Sequence, residues 1–214
     1  VLDSGGTPTL TTISEDDVAN AGDTVAAILA SAGGDRLTDV DAGALEGIAV
    51  TGLASGNGSW QYSIDSGSTW QAVGAVSDAS ALLLRDTDRL RFVPDGQNAD
   101  TASVTFRAWD QSGATAGQQG TKVDASTNGG TSAFSAASET AAISVTAVND
   151  APVLDTSGTP TLTAISEDDT ASAGDTVAAI LASAGGDRIT DVDSGALEGI
   201  AVTELSSGNG TWQY

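Results

Sequence analysis

The chain has no cysteine, no histidine and no methionine, and the first two absences each remove a class of chemistry. Without cysteine there is no disulfide framework, so an exported protein of this composition needs another staple. Without histidine the chain lacks the commonest general base, the commonest transition-metal ligand and any Ser-His or Cys-His nucleophile pair. Basic residues are scarce too: seven Lys and Arg stand against 29 Asp and Glu, for a formal charge of −22. That balance argues against a nucleic-acid partner, whose phosphates it would repel. It also destabilises a compact state unless something neutralises it. No apolar run reaches the roughly 18 residues that would signal a membrane span. Val1 does not begin a signal peptide, and the segment reads as excised from a longer polypeptide.

What is present is a repeat. Val1-Leu2-Asp3 returns as Val153-Leu154-Asp155, and the match runs without a gap to Tyr62 against Tyr214, with about ten of the 62 paired positions different. A period of 152 residues is domain-sized, which predicts tandem globular modules rather than a solenoid. One complete module is expected over residues 1–150, and the N-terminal part of a second over 151–214. Asn149-Asp150-Ala151-Pro152 is the predicted hinge, because Pro152 fixes its own φ and biases Ala151 toward an extended conformation.

Along the module, Thr7 to Ile13 alternates polar and apolar as a half-buried strand does. From Asp23 to Gly34, Val25, Ile28, Leu29 and Ala32 share one helical face, with Asp23 as N-cap and Gly33-Gly34 as the stop. A strand is the alternative there, since Val25, Ala27 and Leu29 also alternate. Strands are expected over Gly47–Leu53, Leu82–Leu84, Leu90–Val93, Val104–Trp109 and Thr140–Val148. Trp60–Ile64 and Thr69–Val73 form a hairpin around Asp65-Ser66-Gly67-Ser68. Residues 111–137 have almost no periodicity, so they are expected to be either functional or poorly ordered. Many short strands with regular turns predict an all-β fold, a β-sandwich with the short helix near residues 23–33 on its rim.

Four acidic clusters sit where strands should end: Glu15-Asp16-Asp17, Asp39-x-Asp41, Asp86-x-Asp88 and Asn149-Asp150. Calcium takes six to eight oxygens at about 2.3–2.6 Å from carboxylates and carbonyls on flexible loops, with no demand for nitrogen or sulfur. A D-x-D pair puts two carboxylates on the same side of an extended backbone. The competing reading is turn aspartates that cap loops without metal. Ser63-Ile64-Asp65-Ser66-Gly67-Ser68-Thr69-Trp70 also fits the Asp-box pattern S-x-D-x-G-x-T-W of sialidase propellers, where it serves as a hairpin device rather than a catalytic site. Trp60, Tyr62 and Trp70 share this hairpin and would stack on a sugar ring if all three faced solvent, which leaves a carbohydrate-binding module as one alternative. A glycosidase-type carboxylate pair would be the route to an enzyme, but nothing singles one out, so no enzyme is expected.

Asn149-Asp150-Ala151-Pro152, the acidic residue after the first strand, and Asp39-x-Asp41 together resemble the calcium-binding pattern of cadherin repeats. Leu90-Arg-Phe-Val-Pro-Asp95 with Val104-Thr-Phe-Arg-Ala-Trp-Asp110 is similar to the closing strands of bacterial cadherin-like and VCBS-type repeats of giant RTX-type adhesins. The resemblance implies cadherin/Ig-like sandwiches in tandem with Ca2+ at the junctions. Carried over, the ligands would be Glu15, Asp86 and Asp88 of the first module, Asn149 and Asp150 of the hinge, and Asp191 and Asp193 of the second. Asp110 lies where the family often places an acid. Asp39, Asp41 and Glu167 are the repeat counterparts of Asp191, Asp193 and Glu15. Ala151 replaces the second Asn of the usual hinge. The implied role is a calcium-rigidified, non-enzymatic spacer of an extracellular or bacterial surface protein, in adhesion or biofilm matrix. Its partners would be neighbouring repeats. A fibre with strands exchanged between chains or repeats is the other alternative.

Overall fold

The strand signals of residues 1–148 resolve into two sheets. The computed structural model describes all 214 residues, and the chain divides into two compact units, Val1–Val148 and Asn149–Tyr214. The boundary falls just before the predicted hinge, so the hinge residues belong to the second unit. No helix is long and apolar enough to cross a membrane.

In the first unit the strands are β1 (Ile13–Ser14), β2 (Asp23–Thr24), β3 (Gly47–Ala54), β4 (Gly58–Ser63), β5 (Gln71–Ala72), β6 (Ala81–Arg85), β7 (Arg89–Pro94), β8 (Asp100–Trp109), β9 (Lys122–Val123) and β10 (Phe134–Thr146). The larger sheet has the order β1-β10-β8-β3-β6-β9, and the smaller β2-β7-β4-β5. All pairings are antiparallel except β1 with β10, where Ile13 faces Val145. The fold is therefore all-β, with one helix in this unit, α1 (Val25–Ser31).

β7 alternates strictly, burying Leu90, Phe92 and Pro94 and half-exposing the residues between, as a strand with one covered face should. Its inward side chains and Trp60 of β4 meet Ile48, Val50, Leu82, Leu84, Val104 and Phe106 of the larger sheet in a single core. Each fully buried Leu, Ile, Val or Phe there contributes about 1.5–3 kcal/mol relative to exposure. Trp60 and Phe92 pack edge to face, ring centroids 5.3 Å apart.

β3 and β6 depart from alternation. Gly47–Val50 and Ala81–Leu84 are buried without interruption, so both faces of the larger sheet are covered there. The second cover is the stretch expected to be functional or poorly ordered. Residues 110–133 contain a 3-10 turn (Gly113–Thr115) and β9, and bring buried Ala125 onto Ala49, Ala81, Leu83, Trp109 and Phe134. It is a fixed lid on the outer face of the sheet.

Two local expectations are corrected. The first strand shrinks to Ile13–Ser14 plus a single bridge from Thr9 to Ala142. The helix is capped by Thr24, whose Oγ1 accepts from Ala27 N (3.1 Å), because Asp23 is occupied elsewhere. Its carboxylate accepts the Thr11 N–H (2.8 Å) and Oγ1–H (2.7 Å).

The second unit holds a two-stranded sheet, β11 (Val153–Leu154) with β12 (Ile189–Thr190), and one helix, α2 (Val177–Ser183). Residues 196–214 carry no strand.

Candidate functional site

The larger sheet has an Asp100 end and a Trp109 end, set by the two ends of the ten-residue strand β8, which lie on the order of 30 Å apart. Glu15 is at the Asp100 end, because Ile13 faces Val145 and Val145 faces Asp100. Its backbone N–H donates to Thr146 O (3.0 Å), and its Oε1 accepts the N–H of Val148, the last residue of the unit. Glu15 is buried and its Oε2 has no hydrogen-bond partner.

Asp86 and Asp88 occupy the turn between β6 and β7, at the other end. Arg85 faces Gly47, and the neighbouring Ile48 faces Ala108, one residue from Trp109. The expected grouping of Glu15 with Asp86 and Asp88 is thus corrected: they lie at opposite ends of one sheet. Asp88 is moreover consumed by its turn. Oδ2 accepts from Arg85 N (2.7 Å) and Oδ1 from the Gln119 amide. Burial pushes its carboxyl above the ordinary carboxylate pKa, against those hydrogen bonds, which favour the charged form. The backbone carbonyls of Asp88 and Asp86 accept from Val25 and Ala26 N (2.9 Å each), so the turn anchors the start of α1.

Asp110 is also at the Trp109 end, as the residue after β8. Its Oδ1 accepts from Ser112 N (2.9 Å). With Asp39 it lines a shallow depression that includes Val1, Leu37 and Glu46. Glu46 was not singled out by sequence, since it stands alone just before a strand and belongs to no acidic run. Asp39 and Asp41 form an Asx turn in which Asp41 N donates to Asp39 Oδ1 (2.9 Å).

The same turn recurs in the second unit: Asp193 N donates to Asp191 Oδ1, again at 2.9 Å. There the linker joins it. Asp150 N donates to Asp193 Oδ2 (2.8 Å), and the two residues bring carboxylate oxygens within 4.8 Å of each other. Asn149 Nδ2 donates to the Asp150 carbonyl (2.7 Å). Of the residues expected to bind metal, the structure therefore brings the carboxylates of Asp150 and Asp193 together, with Asp191 tied to them through the Asp193 amide. Glu167, the counterpart of Glu15, is exposed. Every donor in the united set is oxygen, which suits a hard divalent cation and offers nothing to a metal that selects thiolate or imidazole. Three side chains do not fill a six- to eight-oxygen shell, so carbonyls and water would complete it.

The aromatic hairpin is built as its pattern predicts but does not present a sugar platform. β4 and β5 pair with Tyr62 facing Gln71. Asp65 Oδ1 accepts from Thr69 N (2.9 Å) and Ser63 Oγ (2.7 Å), and Oδ2 from Thr69 Oγ1 (2.6 Å). The Thr69 bonds, aided by Ser63, hold its carboxyl down at about 2. The turn needs Gly67, whose φ is +91°, a region glycine enters at no steric cost. Trp60 and Tyr62 are buried. The indole N–H of Trp60 bonds Ala54 O, and the Tyr62 hydroxyl bonds Gly120 O and Gln71. Trp70 is roofed by the Arg91 guanidinium, 4.0 Å from the ring centroid. The carbohydrate reading required all three rings in solvent, and two of them are core.

No protein-family model, no curated protein and no solved structure matches this chain.

Proposed function

We propose that the chain is a non-enzymatic structural repeat of an extracellular or cell-surface protein, a cadherin/Ig-like β-sandwich module followed by a linker that calcium stiffens. Two sheets closing on one core support the sandwich reading. The observation that carries the calcium reading is the hydrogen bond from Asp150 of the linker to Asp193, itself in an Asx turn with Asp191. It gathers carboxylates of a chain with a formal charge of −22 into one small volume, where their mutual repulsion favours a cation.

Asp150, Asp191 and Asp193 would hold the ion. A bound divalent cation would supply charge neutralisation and bonds stiffer than the hydrogen bonds it joins. The chain's own part is positional. Glu15 fixes Val148, the residue before the linker, through its amide. The Asp193 turn fixes Asp150, one residue after the linker begins. Val148 and Asp150, on either side of Asn149, are thereby each held through their amides, and Pro152 fixes its own φ and restricts Ala151, which leaves the linker few conformations to lose.

Calcium titration of the full chain by calorimetry tests this. Binding at about 10⁻⁴–10⁻³ M is expected, the range of extracellular modules, with loss of the heat in Asp193→Asn. A hundredfold excess over Kd would stabilise the bound state by about 2.7 kcal/mol. No heat at millimolar calcium, or a heat that Asp193→Asn leaves untouched, removes the calcium mechanism.

A further inference from the structure

Acids outnumber bases 29 to seven in this chain, yet most of the bases pair with no carboxylate. Arg36, Arg107 and Arg188 make all the ion pairs, and Arg85, Arg89, Arg91 and Lys122 make none. Arg89 and Arg91 stand on the half-exposed side of β7, opposite Ser63 and Gln61 of β4. No carboxylate shares that face of the paired strands. Asp65, at the tip of the adjoining hairpin, gives both its oxygens to Ser63 and Thr69. The two guanidiniums are both fixed, but differently. Arg91 lies over Trp70, its Nε and Nη2 donating to Gln61 Oε1 (3.0 and 2.7 Å) and its Nη1 to Asn20 O (2.9 Å). Arg89 is held by Nη1 alone, which donates to Ala21 O (3.1 Å) and Gly22 O (3.0 Å). Its Nε and Nη2 bond nothing in the chain. Those two N–H groups form an edge that can take both oxygens of a carboxylate, and the pinned Nη1 holds that edge in place.

A matching pair of acids stands at the other end of the same strand. Residues 15–18 run past Gly96, where an added Cβ would lie 3.9 Å from Glu15 O and 4.0 Å from Val18 Cγ1. Asn20 Nδ2 then ties Asp17 O (2.9 Å) to Phe92 O (2.8 Å), and Thr24 faces Arg89. The loop thus follows β7 from its Pro94 end back to its Arg89 end, on the order of 17 Å. Asp16 and Asp17 are exposed, and their carboxylates bond nothing in the chain. Val18 beside them is 47% exposed.

We propose that this face is a self-association surface, on which Arg89 of one copy of the chain takes Asp16 or Asp17 of a second copy. The cation and the acids lie at opposite ends of one strand, so a two-fold axis across β7 sets each on its opposite in the other copy. One contact is thereby made twice. An acidic glycan could also use Arg89, but Asp16 and Asp17 would then be repelling neighbours, whereas a second copy uses both ends. A single exposed ion pair is worth little; the fixed fork of Arg89 and the two-fold repetition are what strengthen this one. Net charge works the other way, since two chains of −22 repel one another. The pair therefore forms only at high chain concentration.

Sedimentation of the full chain over a range of concentrations up to millimolar reads the association, with chelator present throughout so that the outcome is independent of the calcium reading. A dimer that dissociates on dilution is expected. Arg89→Asp weakens it at least about tenfold, and Asp16→Arg combined with Asp17→Arg does the same, because each change sets like charges against each other twice. The acid reversal removes no bond of the fold, so its effect is not one of unfolding. Arg89→Asp also gives up two loop bonds, and for that reason an equimolar mixture of the two variants carries the test. In a mixed pair every reversed charge meets its opposite, so the mixture regains the affinity of the parent while neither variant dimerises alone. Monomers at every concentration, a dimer that survives either reversal, or a mixture that stays monomeric would each overturn the proposal. Binding of polygalacturonate through Arg89 by a chain that stays monomeric would overturn it too, assigning the arginine to an acidic glycan.

Discussion

Residues 1–62 and 153–214 differ at about ten positions, yet only the first copy contains the long strands β3 and β4. What the copies share is local. α1 and α2 are the same seven residues behind threonine caps with φ of −72° and −71°. Thr11 binds Asp23 as Thr163 binds Asp175. The Trp60 indole reaches Ala54 O and the Trp212 indole Ser206 O, both at 3.1 Å. What they do not share comes from a distance. β3 lies between β6 and β8, and β4 between β5 and β7, all in a part of the sequence that occurs once. Capping and Asx turns are decided by neighbours a few residues away. A strand's state depends on packing against partners that another stretch must supply.

The largest expected effect breaks the comparison at its core. Val50→Asp places a carboxylate among Ile48, Leu84 and Phe106 with no partner for it, and should cost the first unit more than about 4 kcal/mol, enough to unfold a marginal domain. Val202→Asp changes the same residue of the repeat where it is open, and should alter the stability of the first unit by less than about 0.5 kcal/mol. Denaturant unfolding followed by the fluorescence of the buried Trp109 and Trp60 separates the two. Equal effects would mean that burial does not distinguish the copies.

The same division between near and far decides what the sequence reveals. The helix, the Asp-box hairpin and most strands of residues 47–146 are legible because their signals lie within a few residues: the spacing of Val25, Ile28 and Leu29, the Ser63–Thr69 pattern, the alternation along Arg89–Pro94. The lid of residues 110–133 is not, since its apolar contributors Val123, Ala125 and Ala133 are scattered through Gly, Ser and Thr and gain meaning only against Leu83, Trp109 and Phe134. The cap is misread for a similar reason. Asp23 is the better capping residue by type, but Thr11, twelve residues earlier in the chain, claims its carboxylate. For the acidic clusters, spacing gives local geometry alone. The Asx turns of Asp39-x-Asp41 and Asp191-x-Asp193 are local and readable, whereas the end of the sheet on which Asp86 and Asp88 fall depends on the register of β6 with β3.

Asp88 sharpens the comparison between the two helices, because α1 leans on its turn. Asp88→Ala leaves Arg85 N and the Gln119 amide without their acceptor and should cost about 1–3 kcal/mol. It should also speed exchange of the Val25 and Ala26 amides. Asp88→Asn keeps an acceptor and removes the ionisation. The folded-state pKa is raised, so the folded state holds its proton more tightly than the unfolded one, and stability falls as pH rises from about 4 through the raised value. Asp88→Asn should flatten that decline. Urea midpoints measured between about pH 4 and 7 test the sign, and a decline as steep in Asp88→Asn as in the parent would show that another group causes it.

The smallest effect separates the two caps. Thr24→Ala removes one acceptor at the start of α1 and should lower the stability of the first unit by about 1 kcal/mol. The helix itself should persist, because the carbonyls of Asp86 and Asp88 still hold its first turn and Val25, Ile28 and Leu29 remain buried. Thr176→Ala makes the identical change in α2, which has no buried residue. An isolated helix shorter than about 12 residues is marginal in water, so loss of its cap should abolish the amide protection of Ile180–Ser183 while leaving the unfolding of residues 1–148 unchanged. Hydrogen exchange on the two variants reads both helices in one experiment. Equal loss of protection in α1 and α2 would place the helix under the control of its cap in both settings. Tertiary packing would then be secondary for this element, in contrast to the strands of the same repeat.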